Sequence, residues 1–100
     1  MSDHYILDGK TPVKAGLLQW ARWFETANRH VAQSFVAEHR ISTVFLGLDH
    51  QFGDGPPLLF ETMVFKGDSM REEWCERCST WDEAEAMHQR GCEHVRSKMN

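Results

Sequence analysis

The chain of 100 residues has no run of about 18 apolar residues, so no stretch of it reads as a membrane-spanning helix. Its first residues, MSDHYILDGK, lack a basic segment followed by an apolar one, and no export signal is expected. A basic surplus is missing as well. Eleven Lys and Arg stand against fifteen Asp and Glu, a formal net charge of −4, which argues against a nucleic-acid-binding surface. Cysteine is sparse and odd in number, three in all. Without an export signal, the expectation is reduced thiols in a cytoplasm, not a disulfide framework. Internal repeats, linkers and low-complexity tracts are absent, and residues 1–100 read as one domain.

Aromatic residues are what the chain does have. Four Trp and six Phe supply much of one modest core, since each aromatic buries roughly 150–250 Å². The organising stretch is 41–67, ISTVFLGLDHQFGDGPPLLFETMVFKG. In its first half Val44, Leu46 and Leu48 alternate with Ile41, Thr43 and Phe45. In its second half Leu58, Phe60 and Val64 alternate with Leu59, Met63 and Phe65. Both runs are short, β-branched and aromatic, and apolar on both faces, as interior strands are. The loop between them holds Gly53, Gly55, Pro56 and Pro57, and is longer than a two-residue turn.

The other segments read as cover for this hairpin. His4 to Leu7 predicts a short edge strand ending at Asp8-Gly9. Leu17, Trp20, Ala21 and Phe24 recur at helical spacing, with Leu18 and Trp23 widening the stripe, and this helix fades near Asn28. His30 to Ala37 predicts a strand, with Glu38-His39-Arg40 as the turn after it. Glu72 to Ser79 predicts a charged edge strand, where charge discourages aggregation. Thr80-Trp81-Asp82-Glu83 is a capping-box signature. It opens a helix whose inward stripe is Trp81, Ala84, His88, Gly91 and Val95. The expected class is α+β: an antiparallel sheet of four to five strands, in the order β-α-β-β-β-β-α, with two helices packed on one face.

The strings LLQWARWFE (17–25), STVFLGLDHQFGDGPPLLFETMVF (42–65) and STWDEAEAMH (79–88) resemble a functionally uncharacterised family of small bacteriophage and prophage proteins. The resemblance covers nearly the whole chain and is weakest from Asp68 to Cys78. It implies a phage origin and a bacterial-cytoplasm setting, and it supplies no catalytic residues.

Three sets of residues carry candidate chemistry. Cys75, Cys78, His88 and Cys92 have the spacing C-x2-C-x9-H-x3-C, and His88 and Cys92 share a helix face. A zinc ion takes four N or S ligands, but cysteines three apart on a strand point to opposite faces. Unliganded packing thiols and a satisfied core histidine are the plainer reading. Asp49, His50 and Glu61, with Asp54, flank the central loop and could bind a divalent cation or do acid–base work. Against that, Asp54 beside glycines is an ordinary turn residue, and a buried Glu61 needs a partner such as Arg40 or a histidine. Glu72, Glu73 and Glu76 form the core of an acidic stretch, Asp68 to Glu85, with seven acids against Arg71 and Arg77.

The leading expectation is a phage-type accessory protein: a protein-binding module, in one form an inhibitor of a host defence system. Its acids would steer it toward a basic host or phage partner. The alternatives are a metal protein or enzyme built on the loop or the cysteines, and a virion or assembly component. In the last case an edge strand would pair with its copy in a homodimer.

Overall fold

A computed structural model describes residues 3–99 of the chain. The elements are β1 (Tyr5–Asp8), β2 (Thr11–Lys14), α1 (Leu17–Thr26), β3 (His30–Val36), β4 (His39–Phe45), β5 (Phe60–Lys66), β6 (Glu72–Cys78) and α2 (Trp81–Lys98). Strands β3-β4-β5-β6 form an antiparallel meander, and β1 and β2 form a separate two-stranded ribbon. The α+β class and the four-stranded antiparallel sheet are as expected. The order gains one strand, β2, which contains Pro12 opposite Leu7. A ribbon made only of edge strands tolerates a residue without an N–H.

The core forms where β4 and β5 share a face. Their register pairs Ile41 with Val64, Thr43 with Thr62, and Phe45 with Phe60, and all six are at most 1% exposed. Helix α2 lies on this face. Its buried stripe is Ala84, Met87, His88, Gly91, Cys92 and Val95. Gly91 makes close approach possible, because a Cβ there would stand 3.2 Å from each of Ile41 Cγ2, Thr62 Cγ2 and Trp74 Cζ3. The capping box forms: Glu83 N donates to Thr80 Oγ1 and Thr80 N to Glu83 Oε1, both at 3.1 Å.

Two boundaries differ from the sequence expectation. The turn after β3 falls at Ala37-Glu38, where Ala37 takes φ 52°, so His39 and Arg40 belong to β4. Strand β4 stops at Phe45, short of Asp49. The reason is Gly47, at φ +78°, where a Cβ would stand 2.9 Å from Phe24 Cε1. The chain bends there to receive α1, and Tyr5 N donates to Gly47 O at 2.9 Å.

Helix α1 joins the same side of the core as α2 but at its end. Trp23 meets Phe45 edge-on at 5.7 Å, and Trp20 meets His4 edge-on at 4.8 Å and the tilted ring of Phe24 at 4.7 Å. Leu17, expected on the inward stripe, is 61% exposed, and no residue of α1 is fully buried. The helix has only the small ribbon and the sheet end to lie on, so its first turn finds nothing to cover it. Among the described residues, no helix is long and apolar enough to cross a membrane.

Candidate functional site

The most organised polar group lies between α2 and the sheet. His88 is 2% exposed. Its Nδ1 is 2.7 Å from Thr43 Oγ1, and its Nε2 is 2.8 Å from Ser34 Oγ. Thr43 Oγ1 in turn lies 2.5 Å from Thr62 Oγ1. Four side chains from β3, β4, β5 and α2 thus satisfy one another, as buried polar groups must. Burial holds the His88 pKa below its usual value, so the ring is neutral at pH 7. A hydroxyl on an imidazole is also half of a nucleophilic apparatus. Here a threonine hydroxyl occupies the place of the orienting carboxylate, and the ring is sealed under the helix. The geometry is that of a satisfied core histidine. Sequence reading placed His88 on the inward stripe but missed Ser34, Thr43 and Thr62. The available signal was one threonine on each hairpin strand, Thr43 between Ile41 and Phe45 and Thr62 between Phe60 and Val64, on otherwise apolar faces.

The cysteine set does not converge. Cys75 pairs in register with Met63 and Cys78 with Phe60, on opposite faces of the sheet. Cys78 packs with Phe60, Ala84 and Met87, whereas Cys92 packs with Ile41, Val64 and Val95. His88 spends both ring nitrogens on hydroxyls. Among the described residues, no three of His, Cys, Asp and Glu come together to hold an ion. The zinc expectation therefore fails on strand geometry. All three cysteines are free thiols. Burial, with the Glu83 charge second, pushes the Cys78 thiol up to about 11. Burial followed by the Glu61 charge raises that of Cys75.

The loop set also separates. Asp49 Oδ1 accepts from the backbone N–H groups of Gln51 at 2.8 Å and Leu58 at 3.0 Å, so this carboxylate pins the two ends of the loop. His50 borders a shallow cavity of about 190 Å³ with Leu48, Asp49 and Phe52, while Asp54 is exposed. Glu61 lies away from them on β5. Its partner is Arg77 of β6, whose Nε donates to Oε2 at 2.8 Å. The expected partner Arg40 instead lies over the Phe65 ring, 4.6 Å from its centroid. A second cavity, about 280 Å³, lies between Lys10, Pro12 and Trp81 and touches none of the candidate residues.

The acidic residues have mostly internal tasks. Glu73 meets His39 Nε2 at 3.1 Å, and Glu76 pairs with Arg90 of α2. Glu72 is exposed and has no ion-pair partner among the described residues. Beside these acids lies the sheet face turned away from α2. It is built in cross-strand rows: Phe35–Arg40–Phe65, Ser42–Met63–Cys75 and Val44–Glu61–Arg77. Among the described residues, no helix or strand packs on these rows. Their apolar groups are covered only by their own neighbours, Arg40 over Phe65 above all, and Phe35 is 73% exposed.

No protein-family model, curated protein or solved structure matches the chain.

Proposed function

We propose that the protein is a small protein-binding module, made by a phage or prophage, that engages a host or phage protein in the bacterial cytoplasm. Blocking a host defence system is the form of that activity suited to a module of this size. The observation that carries the reading is the uncovered face of the four-stranded sheet. A sheet with one face under a helix and the other bare normally puts polar residues on the bare side. This one places half-buried Val44 and Met63 there, with Phe65 buried under Arg40, Glu61 buried beside Arg77, and exposed Glu72 at the border. Mixed apolar and arginine surfaces of this kind suit partner recognition. The phage origin rests on the resemblance of residues 42–65 and their flanks.

The experiment is capture from lysate of a bacterial host with immobilised protein, comparing wild type with Met63→Glu and Glu72→Lys. A specific protein retained by wild type and lost by at least tenfold with Met63→Glu is the expected result. Retention by Met63→Glu at wild-type level rejects the bare face as the binding surface. Binding that falls steeply with added salt, and further with Glu72→Lys, supports steering by the acids; a flat salt response removes it.

A further inference from the structure

The two edges of the sheet are not alike. Strand β6 carries Glu72, Glu73, Glu76 and Arg77 among its seven residues, EEWCERC. Strand β3, HVAQSFV, carries no Asp, Glu, Lys or Arg, and His30 is its single titratable group. Natural sheets protect their edges with charge, proline, short strands or a covering element. Edge β6 has the first of these, and β3 has only a bulge at its start, between His30 and Ala32. It is as long as the interior strands, and among the described residues no strand pairs with its outer side. Phe35 stands beside that open edge with 73% of its surface in water.

We propose that β3 is the dimer edge: it pairs antiparallel with β3 of a second copy, making one continuous eight-stranded sheet about a two-fold axis. Charge selects the occupant. Two β6 edges brought together would gather six glutamates against two arginines at one seam, an excess of like charge that disfavours the pairing. Two β3 edges bring no charged pair together. The nearest like charges on the bare face are the two Arg40 side chains, one strand in from the seam on each side. Three strand spacings separate them, about 14 Å, which exceeds the Debye length of about 8 Å in physiological salt. An eight-stranded open sheet is within the ordinary range. In the register that pairs β3 end to end, Gln33 lies on the axis and each Phe35 covers the start of the partner strand, around Val31, and leaves water there.

The dimer is independent of the partner-binding reading, and salt separates them. Each copy has a formal net charge of −4, so added salt leaves self-association unchanged or strengthens it, whereas steering of a basic partner weakens. The test is light scattering of the full chain from about 1 to 500 μM. The expected mass is twice 11.6 kDa at the upper end. Phe35→Lys places a charge on an exposed edge position and is expected to weaken dimerisation at least tenfold with the far-UV dichroism unchanged; Glu72→Lys leaves the dimer intact. In wild type, hydrogen exchange of the β3 amides slows with concentration while that of β6 does not. A monomer over the whole range overturns the proposal. So does a dimer whose dissociation constant is unmoved by Phe35→Lys, or one that protects β6 instead.

Discussion

His88 is held at both ring nitrogens by hydroxyls from two different strands, under a helix, and its pKa is lowered by burial. The unfolded chain therefore takes up the proton first. As pH falls below about 6.5, the unfolded state gains protons that the folded state does not, and stability drops until the folded pKa is reached. For one proton the slope is at most about 1.4 kcal/mol per pH unit. Denaturant melts of wild type and His88→Gln between pH 7.5 and 5 check this: the wild-type loss in that window should be absent from the variant. At pH 7, His88→Ala leaves two hydroxyls short of a partner and should cost about 2–3 kcal/mol. The thiols provide a second residue-scale expectation. Cys75 is exposed, whereas Cys78 and Cys92 are buried, so a thiol reagent should label one cysteine in the native protein and three in denaturant. Labelling of Cys75 should be slow at pH 7, because partial desolvation against the sheet and then the Glu61 charge keep this exposed thiol protonated.

Among the elements, α2 has the best-defined start. Thr80→Ala removes one half of the capping box and should lower stability by about 1 kcal/mol, measured as a shift in the denaturation midpoint at unchanged slope. That cap was legible in the sequence because it is local: its four residues are adjacent, and the acids after it agree with the helix dipole. The β4–β5 hairpin was legible for the same reason, since two short β-branched and aromatic runs stand either side of one Gly/Pro loop. What was not legible depends on distant partners. Strand β2 hides because Pro12, which has no N–H for a ladder, argues against a strand until β1 lies beside it. The edge status of β3 hides because no charge in the strand marks it. The candidate sites fared likewise. Sequence named Glu61, Glu73, Glu76 and His88 but could not supply Arg77, His39, Arg90 or Thr43, the partners that turn each of them into a structural contact.

On the scale of the whole molecule, stability is unevenly spread. The sheet and α2 share every fully buried strand and helix side chain, while β1, β2 and α1 hold none. Native-state hydrogen exchange should therefore find the amides of α1 and the β1–β2 ribbon opening at lower free energy than those of β4, β5 and α2. Equal protection throughout would mean that Trp23 on Phe45 and the Gly47 seat tie the first third of the chain to the core more tightly than their burial implies. The same division leaves the bare sheet face and the β3 edge on the more stable unit, so both proposed surfaces stay formed when the N-terminal elements fray.

The row Ser34–His88–Thr43–Thr62 has a direction. A neutral imidazole carries one N–H, and each hydroxyl gives one hydrogen. If Nδ1 bears the proton, Thr43 must point its hydrogen at Thr62, and Ser34 points at Nε2. If Nε2 bears it, every one of those arrows turns round. Exchanging the Thr62 hydroxyl for a methyl, as in Thr62→Val, leaves Thr43 only the ring to give to. The tautomer is then fixed from β5, and Ser34, two strands away, becomes the receiver.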